Sequence, residues 1–169
     1  MILIGIGGNL PSKKFGSTLE TLEKALQFID AKVCTVVRCS PWYRSAPVPV
    51  TGQPDYLNAV AEIETLLPAP ELLASLHDVE KQFERVRSVK NASRTVDLDL
   101  LVYHNQVIEV DGESGLRVPH PRMEERAFVL LPFFDLVSDW VHPVSNQPIS
   151  NLIRNLPTEQ RCDRFVYDV

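Results

Sequence analysis

Asp97 and Asp99 stand two residues apart in the run Arg94-Thr95-Val96-Asp97-Leu98-Asp99-Leu100-Leu101, where acidic and apolar side chains alternate at the period of a β-strand. Both carboxylates therefore project from one face. At about 6 Å apart and an effective dielectric of about 20 they repel by roughly 2–3 kcal/mol, a cost that a bound dication removes. Hard oxygen ligands on an open face suit Mg²⁺, which shares its coordination shell with substrate phosphates. Arg94 lies just upstream, preceded by Arg85, Arg87 and Lys90. Acids for a metal and cations for phosphate thus meet in one short segment. An isolated Asp-x-Asp also fits an edge strand with one solvated face. Here Val96, Leu98 and Leu100 on one face and Leu101 on the other leave only a short polar notch in a strand that otherwise reads as buried.

The elements that must position this notch are readable along the chain. Residues 2–6 form a buried first strand, which Gly7-Gly8-Asn9 ends in a tight strand-to-helix turn. Those glycines match neither nucleotide-binding pattern, because Leu10 stands where G-x-G-x-x-G needs its last glycine and no G-x-x-x-x-G-K-[ST] follows. Ser17-Thr18-Leu19-Glu20 is a capping box, and Leu19, Leu22, Leu26 and Ile29 repeat at helical spacing, predicting a helix over 18–30. A β-branched second strand covers 33–39, followed by a proline-rich loop through Pro41, Pro47, Pro49 and Pro54. Residues 56–65 alternate, with Leu57, Ala59, Ala61 and Ile63 on one face and Asn58 and Val60 on the other. A second helix over 71–86 carries its stripe on Leu72, Leu76, Val79 and Phe83. The aspartate strand completes a βαββαβ order: an α+β, ferredoxin-like antiparallel sheet with helices packed on it. C-terminal additions follow, a helix over 122–134 halted by Pro132 and a short helix over 151–156.

The whole chain, 1–169, reads as a single domain. With 17 basic against 22 acidic residues the net charge is −5, which disfavours nucleic acid and anionic membranes as partners. The 3 cysteines lack the spacing of a disulfide framework or a zinc site. Gly5, Gly7, Gly8 and Pro11 come too early for a signal peptide or a membrane span. A cytoplasmic protein is expected.

Five runs, in order, resemble the hydroxymethyl-dihydropterin pyrophosphokinases of folate biosynthesis: Ile6-Gly7-Gly8-Asn9-Leu10, Tyr43-Arg44-Ser45-Ala46-Pro47, Gln53-Pro54-Asp55-Tyr56-Leu57-Asn58-Ala59, the Arg94–Leu101 segment, and Val118-Pro119-His120-Pro121. The resemblance implies transfer of pyrophosphate from ATP to the pterin hydroxymethyl oxygen, with two Mg²⁺ ions held by Asp97 and Asp99. Arg85 and Arg94 join the aspartates as catalytic groups, the guanidinium fork suiting phosphate better than lysine. It implies ATP contacts at Leu73, His77, Glu80, Arg85, Arg87, Arg94, Leu100, Arg117, His120, Pro121 and Arg126. The pterin falls to Tyr56 and Phe128 as ring-stacking partners, to the Asn58 carboxamide, and to backbone groups of Ser45, Ala46 and Val48. Loops flanking the site are expected to close over ATP. A monomer with these two small-molecule substrates is expected. The chain departs from the family at Lys90-Asn91-Ala92-Ser93, which lacks a frequent tryptophan, and at Pro49, where glycine is common. Three other readings remain open on such a scaffold: a different Mg²⁺-dependent nucleotidyl or phosphoryl transferase, a noncatalytic nucleotide-binding module, and a nucleic-acid binder.

Overall fold

Apolar alternation at Ile2, Ile4 and Ile6 opens β1 (Ile2–Gly8), which is buried on both faces. The capping box forms as expected: the Ser17 hydroxyl accepts from the Glu20 N–H and the Glu20 carboxylate accepts from the Ser17 N–H at 2.7 Å. It starts α1 (Thr18–Lys32). The chain continues through β2 (Thr35–Cys39), β3 (Tyr43–Ser45), β4 (Tyr56–Glu64), α2 (Ala69–Gln82) and β5 (Asp97–Tyr103). After these come β6 (Ile108–Glu109), β7 (Arg117–Val118), a 3-10 turn (Met123–Glu125), α3 (Ala127–Leu136), α4 (Ile149–Arg154) and β8 (Cys162–Arg164). This computed structural model describes residues 1–47, 52–84, 93–110 and 115–166.

The main sheet is antiparallel in the order β5-β1-β4-β3-β8, with β2 beside β3 on the same side of β4. β2 is the expected second strand, whereas β3 falls inside the expected proline-rich loop and continues the pairing along β4. Ser40 holds the register across the break, donating its N–H to the Val60 carbonyl at 2.9 Å while its hydroxyl accepts the Val60 N–H at 3.1 Å. Pro41, which has no N–H, follows at the gap. The βαββαβ order is therefore present.

Each sheet face has its own core. Ile4, Ile6, Ala59, Ala61, Leu98 and Leu100 point toward α1 and α2. Leu3, Val60, Leu101 and Val102 point toward α3 and α4. Leu101 is the extra residue of a bulge, since Leu3 pairs with Val102 and Ile4 with Leu100. That insertion lets the neighbours Leu101 and Val102 share one core.

Three expectations need correction. β1 runs through Gly7 and Gly8, so these glycines are strand residues and not a turn; a Cβ on Gly8 would stand 2.3 Å from the Thr95 carbonyl oxygen, and close backbone approach is what requires glycine there. α2 stops at Gln82, with Glu84 at φ +63° and the Phe83 carbonyl taken by the Thr95 hydroxyl at 2.6 Å. Pro132 lies inside α3 and does not halt it. The packing of Leu130 and Phe133 on either side, both fully buried, outweighs the lost helical hydrogen bond.

Candidate active site

The register of three strands builds the site. Gly7 pairs with Asn58 on one side and Asp97 on the other, and Asn58 pairs in turn with Tyr43. Directly opposed residues share a face, so the acidic notch and the Asn58 carboxamide lie on the same surface, two strand spacings or about 10 Å apart. Gly7 between them contributes no side chain. The result is a floor with an amide at one end and a carboxylate at the other. The next row, Asp99-Gly5-Val60, repeats the gap.

Above this floor lies a cavity of about 310 Å³. Of the expected pterin residues, Ser45, Ala46, Tyr56, Asn58 and Phe128 line it, as do Arg94, Asp97 and Arg126. Asn58 is buried and donates to the Ser45 hydroxyl at 2.9 Å, which fixes the orientation of its amide. The Ser45 contact seen here is made by its side chain, whereas a backbone contact was expected. The Ala46 N–H is already given to the Arg161 carbonyl at 3.1 Å, so the expected backbone edge there is limited to its carbonyl. Tyr56, half-buried, lies within 3.3 Å of the Gln53 Oε1, and burial pushes its phenol pKa above the ordinary value. Phe128 carries the Arg126 guanidinium 5.4 Å from its ring centre.

At the acidic end each aspartate meets an arginine. Arg94 donates to Asp97 at 2.6 Å, and Arg126 stands 3.8 Å from Asp99. Asn9 places Arg94: its Oδ1 accepts the Arg94 N–H at 3.0 Å and its amide donates to the Pro54 carbonyl at 3.1 Å, tying the two loops together. His120 lies beside this end, its pKa lowered first by burial and further by Arg126 and Arg122, with Asp99 and Asp97 opposing. Burial and Arg122 likewise depress Arg126. Among the described residues lining the cavity, Arg94, Arg122 and Arg126 face Asp97 and Glu125. A chain of net charge −5 therefore gathers three guanidinium groups around this cavity, groups suited to phosphate oxygens.

The carboxylate pair fits Mg²⁺. Asp97 and Asp99 could offer it two hard oxygen ligands from one strand face, with the other positions open to phosphate oxygens and water.

Other expected nucleotide positions lie apart from the cavity. Leu73 packs against the core under α1 and α2, and Leu100 is buried in it. Glu80 is buried, with its carboxylate accepting the Leu98 N–H at 2.8 Å. His77 is on α2, while Arg117 is exposed on β7 and pairs with Glu109 at 3.0 Å. Pro121 is an exposed turn residue beside His120. Val48, Arg85 and Arg87, with Pro49, Lys90, Asn91 and Ala92, lie outside the described residues. Sequence reasoning missed Gly7, Pro47, Gln53, Arg122, Glu125 and Gln160 as cavity residues. A glycine inside a strand was a signal for Gly7, and Gln53 and Arg122 sit in or beside matched runs. Glu125 and Gln160 carried none.

The 7,8-dihydro-6-hydroxymethylpterin-pyrophosphokinase family model matches residues 3–138. The 2-amino-4-hydroxy-6-hydroxymethyldihydropteridine pyrophosphokinase of Haemophilus influenzae is 39% identical over 152 residues, covering 89% of each chain. Its Synechocystis counterpart is 37% identical over 155 residues, covering 91% of this chain and 75% of that one. Among solved structures, wild-type Plasmodium falciparum HPPK-DHPS with STZ-DHP superposes at a TM-score of 0.67 with 12% identity, covering 90% of this chain. The present chain spans 42% of that longer one, and the likeness concerns the fold.

Proposed function

The chain belongs to the 7,8-dihydro-6-hydroxymethylpterin-pyrophosphokinase family, and we propose that its pterin acceptor lies in the cavity over Gly7 while the triphosphate lies against Arg94 and Arg126. The activity is ATP-dependent transfer of a pyrophosphoryl group to the hydroxymethyl oxygen of 6-hydroxymethyl-7,8-dihydropterin, giving the pterin diphosphate and AMP in folate biosynthesis. The observation that carries the site reading is the Asp97-Gly7-Asn58 row, which offers an amide-reading end, a flat floor and an acidic end in one line.

The Asn58 carboxamide, held by Ser45, presents a donor and an acceptor to the pterin amide edge. Tyr56 and Phe128 cover the ring faces. The hydroxymethyl group then points along the floor toward Asp97, where its oxygen attacks the β-phosphorus, its proton leaves to solvent, and the bond from the β-phosphorus to the α-phosphate oxygen breaks, releasing AMP. Arg94 and Arg126 meet the equatorial phosphate oxygens, where charge accumulates in the transition state. Asp97 and Asp99 would hold two Mg²⁺ ions, which supply charge to the phosphates and lower the pKa of the attacking hydroxyl. β5 is the outer strand of the sheet, flanked by α2 and by β7. The adenosine therefore runs along that edge, past His120 and Pro121, with Leu73, His77 and Arg117 in reach. Glu80 and Leu100 serve that edge from beneath. Val48, Arg85 and Arg87 keep the roles their matches imply.

No helix among the described residues is long and apolar enough to cross a membrane. The free cysteines agree with a reducing cytoplasm, and a cavity lined by residues of this chain alone agrees with a monomer. The deciding assay incubates the protein with ATP, Mg²⁺ and the hydroxymethyl-dihydropterin and resolves the adenine nucleotides. AMP together with pterin diphosphate is expected; ADP, or no pterin-dependent turnover, would overturn the reading.

A further inference from the structure

The two walls of the cavity come from distant parts of the chain: Ser45 and Ala46 at the end of β3, and Glu125 to Phe128 at the start of α3. One dipeptide touches both. The Gln160 Oε1 accepts the Ala127 N–H at 2.9 Å, and its Nε2 donates to the Glu125 carbonyl at 2.6 Å. Its neighbour Arg161 accepts the Ala46 N–H at its carbonyl, 3.1 Å away, and its guanidinium holds Asp55 at 2.6 Å. Gln160 itself lines the cavity, and it lies beyond the residues 3–138 that the family model matches.

The contact with Ala127 is more than incidental. Ala127 is the first residue of α3, and the N-cap residue Arg126 makes no side-chain capping bond. A first-turn N–H has no partner within its own helix. Ala127 is buried, so water is a poor replacement. Gln160 caps the helix from 33 positions away, directly before Phe128. The exposed Arg161–Asp55 pair at the rim contributes little by comparison.

We propose that Gln160 is a positioning residue for the pterin: together with the Arg161 carbonyl it clamps Phe128 and Ala46 at the separation a flat ring needs. This rests on the assignment of the cavity to the pterin. The clamp touches neither aspartate nor Arg94, but the two groups it holds flank Arg126, so its loss falls mainly on the affinity for the acceptor and to a smaller degree on ATP.

The test compares the wild-type chain with Gln160→Ala and Gln160→Glu, varying each substrate against saturating amounts of the other and recording thermal melts. Gln160→Ala is expected to raise KM for the pterin about tenfold, with a clearly smaller change, of about threefold or less, in KM for ATP through Arg126. Gln160→Glu, which keeps an acceptor for the Ala127 N–H but loses the donor to the Glu125 carbonyl, is expected to recover only in part, to about threefold. An unchanged pterin KM overturns the proposal. So does a parallel rise of both KM values with a falling Tm, the mark of a merely structural role, or a Glu variant no better than Ala. Should Gln160→Ala not fold, pterin titration of Gln160→Glu with a nonhydrolysable ATP analogue decides: about threefold weaker binding supports the clamp, and wild-type binding overturns it. Wild-type protein that forms no AMP from the pterin would instead refute the functional reading on which the clamp rests.

Discussion

A Cβ on Gly7 would stand 2.5 Å from the Asn58 Oδ1. Asn58 has little room to yield, being buried and held by the Ser45 hydroxyl at 2.9 Å. Gly7→Ala should therefore turn the carboxamide out of line while leaving the sheet paired. We expect about a 100-fold loss in kcat/KM for the pterin and an ATP affinity within about twofold of wild type. Steady-state kinetics with calorimetric ATP titration checks this. Unaltered pterin kinetics would mean that the floor over Gly7 is not the acceptor site.

Asp97→Ala and Asp99→Ala separate catalysis from folding. Each carboxylate faces a half-buried arginine and neither supports the core, so melting temperatures should move by only a few degrees. Turnover should fall by at least about 10³-fold, and the dependence of ATP binding on Mg²⁺ should weaken in both variants. Mg²⁺ titrations at fixed ATP analogue supply the measurement. Wild-type turnover in either variant would remove it from the ligand set.

Glu80 distinguishes a brace from a nucleotide contact. Its buried carboxylate accepts the N–H of Leu98, the residue between the two aspartates, on the outer edge of β5. Glu80→Ala leaves that buried N–H unpaired and should cost about 1–3 kcal/mol in urea unfolding. Glu80→Gln retains an acceptor and should cost less. If both variants unfold like wild type and only ATP affinity drops, the residue contacts the nucleotide directly.

The parts of the fold legible in the sequence were those with a period or a cap. Ser17 and Glu20 announced α1, and the Tyr56-to-Glu64 alternation gave both the strand and its two faces. β3 and β8 were not legible, because three residues carry no period and the Tyr43–Ser45 strand is bounded by Pro41 and Pro47. Pro132 misled for the opposite reason: local propensity opposed a helix that Leu130 and Phe133 stabilise through packing. The Asp97/Asp99 pair and Asn58 were legible as chemistry. Their alignment through Gly7 was not, since register between strands far apart in sequence leaves no local trace. Gln160 is the extreme case, a helix cap supplied by a distant loop.

His142 gives the last prediction, a pH dependence of stability. Its Nδ1 accepts two backbone N–H groups, from Val144 and Ser145, each at 3.2 Å, which requires that nitrogen to be unprotonated. Burial lowers its pKa, and Glu124, 3.7 Å from Nε2, opposes the shift only in part. With the folded value below the unfolded value of about 6.5, the unfolded chain binds more protons between the two. The contribution to stability is therefore complete above the unfolded value and is lost as pH falls through the folded one. His120 is shifted in the same direction, so the wild type alone cannot apportion the effect. His142→Asn keeps an acceptor near the Nδ1 position and removes the titration. Urea unfolding from about pH 8 to about pH 5.5 should show the wild type losing stability relative to this variant as pH falls. Parallel curves would mean that His142 is equally protonated in the folded and unfolded chains.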